Sequence, residues 1–157
     1  MANTMRWRYG DTNPVMLPVA ADVAVEIGDL VYLAEGMARP ASALANQGSS
    51  VLNLSGFHDA FVGVAMQASP VGTASSIRIA TSGAFEFDCD SATHGLGDFI
   101  SVGINLAGDQ LIDQKVADAA SVGVAIGRCA KQVTVAATRV LVDVVSTVMK
   151  GGPQEAA

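Results

Sequence analysis

One pattern occurs twice in the same order, and it limits the fold more than any other feature of the chain. The first copy runs Ile27-Gly28-Asp29-Leu30-Val31, then Val62-Gly63-Val64-Ala65, then Ile77-Arg78-Ile79. The second runs Leu96-Gly97-Asp98-Phe99-Ile100, then Val122-Gly123-Val124-Ala125, then Val140-Leu141-Val142. Each copy reads as a Gly-Asp turn entering an apolar run, a Gly-Val-Ala strand and a β-branched strand. Glycine permits tight turns and close strand approach, and a turn aspartate bonds its own backbone. Two related β-units in one compact domain are expected.

Alternation supports strands elsewhere. Phe85, Phe87 and Cys89 share one face, and Glu86, Asp88 and Asp90 the other, as in a half-buried antiparallel strand. Gly83 marks a turn or a bulge in one long bent strand, and a hairpin register setting Arg78 opposite Glu86 is preferred. Val140 to Val148 is rich in β-branched residues. Met37 to Ser55 mixes Ala, Ser, Asn, Gln and Gly around Pro40 and reads as a long loop or short helical turn. No amphipathic helix beyond two turns is visible. The fold class is therefore all-β, a barrel or sandwich over residues 20–149.

Residues 1–19 stand apart. Pro14 and Pro18 forbid a helix and allow at most an edge strand. Arg6, Trp7, Arg8 and Tyr9 are large side chains with no obvious place in an Ala/Val core. They form either a strand folded back on its own domain or an arm that docks on a partner, since Trp, Tyr and Arg are favoured interface anchors. Lys150-Gly151-Gly152-Pro153 ends the order, and residues 150–157 read as a flexible tail.

Composition narrows the function. The net charge is -6 and no basic cluster follows Arg8, which argues against a nucleic-acid partner. No run reaches the ~18 apolar residues of a membrane span, and the first residues lack the apolar core of a secretory signal. Only 15 % of residues are charged while half are hydrophobic, so much of the surface is uncharged and suits self-association or assembly.

The search for chemistry returns no catalytic, cofactor-binding or metal-binding residues. Cys89 and Cys129 lack CxxC spacing and read as inert thiols in a reducing compartment. His58 and His94 lie in turn-like sequence and read as solvated. Two histidines and two cysteines make a poor structural zinc set. There is no Gly-x-Ser-x-Gly elbow and no phosphate loop. The chain does not read as an enzyme.

The segments Val25–Tyr32, Phe61–Ala65, Ile77–Phe87, Leu96–Ile100 and Val122–Gly127 together resemble a family of small tailed-phage virion proteins, the head decoration or capsid cement proteins. The resemblance implies a compact β-barrel or β-tulip domain with an extended N-terminal arm. It implies a homotrimer on the capsid exterior whose partners are the major capsid protein and neighbouring decoration subunits. Such a protein would reside in the host cytoplasm before assembly and in the virion afterwards, without a cofactor. Rival readings are a trimeric β-sheet enzyme with an intersubunit site combining His58, Asp59 and the carboxylates from different chains, or another virion component such as a tail-tube or head-completion protein.

Overall fold

The computed structural model describes residues 5–155. Among the described residues there are eleven strands: β1 (Arg6–Tyr9), β2 (Val15–Val19), β3 (Leu30–Ala34), β4 (Met37–Pro40), β5 (Phe61–Ala65), β6 (Ser75–Ala80), β7 (Ser82–His94), β8 (Phe99–Ile104), β9 (Leu111–Asp118), β10 (Gly127–Cys129) and β11 (Val133–Val145). Helix α1 (Ser50–Ala60) precedes β5, and a single turn, α2 (Thr147–Lys150), follows β11.

The strands fall into two sheets with one topology. The first is ordered β2-β6-β5-β3-β4, and the second β7-β11-β10-β8-β9 with β1 added outside β7. Replacing each strand of the first by the strand five later yields the second. The second closes into a five-stranded barrel because β9 also pairs with β7, Asp88 opposite Lys115 and Cys89 opposite Val116. In the first unit β2 and β4 come close without pairing. Both carry a proline, Pro18 and Pro40, and proline is tolerated on strands left as edges.

The equivalence extends to single hydrogen bonds. In the first unit the Gly28 N–H donates to Ala65 O at 2.8 Å, the Ala65 N–H to Asp29 O at 2.8 Å, and the Glu26 N–H to Asp29 Oδ2 at 2.9 Å. In the second, Gly97 donates to Cys129 O at 2.8 Å, Cys129 to Asp98 O at 2.8 Å, and Gly95 to Asp98 Oδ2 at 2.7 Å. Both turn glycines hold positive φ, 98° and 84°.

These bonds correct the middle of the sequence repeat. The partner of Phe61–Ala65 is Ala125–Cys129, not Val122–Ala125, because Ala65 and Cys129 close the same turn. Val122–Val124 forms a single 3-10 turn instead. The reason is steric. A Cβ on Gly63 would lie 1.8 Å from Ala80 O, and one on Gly127 would lie 2.3 Å from Asp143 O. At Gly123 it would meet only Ser121 Oγ, at an ordinary 3.7 Å. Matching letters mark Gly123, but the backbone crossing needs Gly127.

Each unit has its own interior. Val19, Val25, Val31, Ala38, Val62, Ile77 and Ile79 fill the first. Phe85, Phe87, Cys89, Ile100, Cys129, Val140 and Val142 belong to the second. Leu30, Tyr32, Phe61 and Val64 point from the outer face of the first unit into the second cluster, so the units share a continuous apolar seam. A bulge at Gly63, seen as a register shift between Val31 and Tyr32, puts Phe61 and Val64 on that outer face together. Helix α1 completes the seam: Phe57 is fully buried, with ring centroids 5.9 Å from Tyr32 and 5.5 Å from Phe61. Burying such a ring contributes about 1.5–3 kcal/mol.

Several expectations are revised. Arg78 pairs with Met16 of β2, and Glu86 with Arg6 and Leu141, so the hairpin register is replaced by the alternative of a long path bent at Thr81. That bend carries the chain from one sheet to the other. Met37–Ser55 holds β4 and the start of α1, an eleven-residue helix capped by Ser49 Oγ, which accepts from the Leu52 N–H at 3.2 Å. Its Asn53 and Gly56 weaken the helical pattern in the sequence. The C-terminal stretch packs back: Gly152 and Pro153 are buried, and Arg128 donates to Gln154 O.

Candidate interaction surface

The segment expected to extend from the domain is paired within it. β1 runs antiparallel to the first half of β7, Arg6 opposite Glu86 and Trp7 opposite Phe85, and β2 pairs along β6. Of the two sequence readings, the folded-back strand is the one this chain adopts. The cause lies in β7. Its second half is covered by β9, while its first half would otherwise be a bare edge.

Charge aligns β1 with its neighbour. Arg6 Nη2 lies 2.7 Å from Asp88 Oδ1, and Arg6 Nε 3.4 Å from Glu86 Oε1. Arg8 and Arg139 reach the same Glu86 oxygen, at 3.3 and 3.4 Å. The carboxylate stripe read from the sequence is thus the outer face of β7, where arginines meet Glu86 and Asp88 and Lys115 meets Asp90 at 2.6 Å. Arg8, Arg139 and Asp88 are exposed while Arg6 and Glu86 are partly covered, and surface pairs of this kind contribute about 0–1 kcal/mol each, so they fix register more than stability.

The two aromatic residues of β1 remain open. Trp7 is 49 % exposed and Tyr9 55 %. The Trp7 Nε1–H donates to Gly10 O at 3.0 Å, which holds the ring in place while its face meets solvent. Beside Tyr9 lies a shallow cleft of about 250 Å³ reaching Asp11, Gly83 and Asp143. Burial pushes the Asp143 carboxyl up from its ordinary value. β1 also has no counterpart in the first unit. It is an addition to the duplicated scaffold that displays two aromatics and Arg8.

The histidines are not solvated as expected. The His58 Nδ1–H donates to Ala125 O at 2.6 Å, binding α1 to the second unit. That bond commits the ring structurally, and Asp59 beside it is exposed. His94 is buried, with Nδ1 2.7 Å from Asp118 Oδ1 and Nε2 3.8 Å from Cys89 Sγ. The order resembles a nucleophile, base and orienting carboxylate. However, Cys89 is buried, and burial followed by the nearby Asp118 pushes its thiol up, which favours the unreactive protonated form. The equivalent positions in the first unit are Val19, Val25 and Pro40. Cys129 is also buried and free, its thiol likewise pushed up by burial. Among the described residues no group of three or more His, Cys, Asp or Glu is placed to hold a metal ion. No helix among them is long and apolar enough to cross a membrane.

Two features escaped sequence reasoning. Leu106 stands fully exposed in the β8–β9 loop, and the first turn of α1 exposes Val51 and Leu52. Helix α1 docks against that loop through Asn53, whose Nδ2 donates to Gly108 O at 2.9 Å, and nothing in the letters shows it.

No protein-family model matches the chain, and no curated protein does. Among solved structures, the chain is similar to the head fiber gp8.5 N base of bacteriophage phi29, with a TM-score of 0.48 and 12 % identity over 83 % of this chain and 93 % of that one.

Proposed function

We propose that this chain is a structural component of a tailed-phage head, a decoration protein that binds the outside of the shell as a trimer. The observation that carries the reading is β1, a strand outside the duplicated scaffold that exposes Trp7, Arg8 and Tyr9. The sequence resemblance to decoration proteins supports it, as does a compact all-β body with a small charged fraction. The arm of the resemblance becomes a display edge, with Trp7 and Tyr9 meeting the major capsid protein or a neighbouring subunit. The role is mechanical. A protein that binds only the assembled shell stabilises that state by mass action. A trimer places three such edges on one rigid body, which multiplies weak contacts into avidity.

The test is cosedimentation with heads of the parent phage made without this protein, alongside light scattering of the free protein. Expected are saturable binding in multiples of three and a trimer mass in solution or threefold clustering on heads. A monomer that leaves heads undecorated overturns the reading.

A further inference from the structure

The carboxylates on the outer face of β7 each have a cation. Glu86 and Asp88 are met by Arg6, Arg8 and Arg139, and Asp90 by Lys115. One strand away on β11, Asp143 has none. Burial pushes its carboxyl up with no neighbouring charge to offset the effect, and among the described residues nothing donates to it. Its cross-strand neighbour on β10 is Arg128, which is well placed by register to answer it. That guanidinium is engaged elsewhere, 4.3 Å from the centroid of the Phe99 ring and donating to Gly97 O and Gln154 O.

The duplicated scaffold shows that the fold does not call for an acid at this position. A Cβ on Gly63 would strike Ala80 O, and one on the equivalent Gly127 would strike Asp143 O, so Ala80 is the counterpart of Asp143. Ala80 is fully buried. A carboxylate held partly out of water without a partner costs stability, so its presence in one unit alone points outward, to a cation the chain does not supply.

The charge stands in a formed cleft beside β1. About 250 Å³ in volume, the cleft is lined by Tyr9, Asp11 and Asp143, while Gly10 and Gly83 contribute no side chains to fill it. Its rim is fixed. Trp7 Nε1–H donates to Gly10 O at 3.0 Å, Ser82 Oγ donates to Asp11 O at 2.7 Å, and Asp11 Oδ1 accepts from the Asn13 N–H at 3.0 Å. Tyr9 adds a half-exposed ring to the two carboxylates. A ring beside a carboxylate suits a guanidinium, which stacks on aromatic faces while pairing with an acid. Arg128 on Phe99 already shows this chain using the ring half of that contact.

We propose that this cleft receives an arginine side chain of the shell protein, with its guanidinium against Tyr9, paired with Asp143 and flanked by Asp11. This rests on the head-binding reading above and names the chemistry of the partner at the β1 edge. A second copy of this chain is the poorer occupant. Each copy carries a net charge of -6, and the arginines of β1, β10 and β11 are already engaged.

The test compares wild type, Asp143→Asn, Asp11→Asn and Asp90→Asn for cosedimentation with phage heads made without this protein, over a range of salt concentrations. Thermal unfolding and solution mass are measured alongside. Asp143→Asn is expected to bind heads about tenfold more weakly, with a shallower loss of binding as salt rises. It should melt at the wild-type temperature or slightly above, because an unpaired carboxylate has been removed. Asp11→Asn keeps the oxygen that the Asn13 N–H needs and should lose less binding. Asp90→Asn removes the same charge outside the cleft and should bind as wild type does. If wild type binds heads and Asp143→Asn binds equally well, or Asp90→Asn loses as much, the cleft is wrong while the head-binding reading stands. A lower melting temperature for Asp143→Asn would give the carboxylate a structural role and overturn the proposal. A changed solution mass would mean that the cleft joins copies of this chain, which also overturns it. If wild type does not bind heads, both readings fall.

Discussion

Gly127 and Gly123 are four residues apart and look alike in the sequence, yet only one is under steric compulsion. Alanine at Gly127 would set a Cβ 2.3 Å from Asp143 O and 2.8 Å from Val142 Cγ1. The backbone of β11 must shift, at the heart of the β10–β11 pairing. Urea denaturation should show Gly127→Ala losing about 2–4 kcal/mol, an overpacking cost, and Gly123→Ala changing by about 0.5 kcal/mol or less. Equal losses would contradict the assignment of Gly127 as the partner of Gly63. Asp29 offers a second test at this scale. Its carboxylate is buried in the seam and accepts from the Glu26 N–H and from Gln114 Nε2 at 2.8 Å. Burial, with smaller contributions from Asp113 and Glu26, raises it from 3.8 to about 6. The folded state therefore holds the proton more tightly than the unfolded chain. The stabilising contribution is full below about 3.8 and is lost as pH rises through about 6. Denaturation of wild type and Asp29→Asn across pH 4–7 should show wild type losing stability relative to the variant as pH rises. A parallel pair of curves would show that Asp29 is not titrating in this range.

At the scale of elements, β1 is an attachment and α1 is a seam. Deleting residues 2–9 removes one edge ladder and exposed ion pairs but leaves the β7–β9 closure and the β2–β6 pairing in place. The truncated protein should unfold cooperatively with a loss of about 1–3 kcal/mol, from a few net hydrogen bonds. It should also lose most head binding. Loss of the β-sheet circular dichroism signal would make β1 part of the core. Phe57→Ala, by contrast, empties the seam between units and should cost about 3–5 kcal/mol. The contrast between these two elements was half legible. Trp7 and Tyr9 declared themselves by residue type, and Pro14 and Pro18 limited the segment to an edge. The pairing of β1 was hidden because it depends on β9 covering only part of β7, a non-local fact. Helix α1 was hidden for the opposite reason: Asn53 is buried there as a clasp, so a polar residue sits on the face where periodicity expects an apolar one.

As a whole molecule, the chain is one five-stranded topology used twice, and that duplication was readable because turn glycines and interior β-branched positions obey local rules. The Gly28-Asp29 and Gly97-Asp98 turns were found from their letters alone. The units differ where no local rule applies: β1, the Asn105–Gln110 loop and α1. Of these additions, β1 carries the exposed aromatics on which head binding is proposed to rest. Intrinsic fluorescence of the single tryptophan reports on one of them directly. Half-exposed Trp7 should emit to the red in the free protein and shift to the blue on heads, and an unchanged spectrum at saturating binding would remove Trp7 from the interface. The most direct test of the head-binding account is cryo-electron microscopy of phage heads made without this protein and then incubated with it. The account predicts added density on the outer surface, clustered around threefold positions, into which the duplicated barrel fits with β1 toward the shell. Heads that gain no density at saturating protein would contradict it.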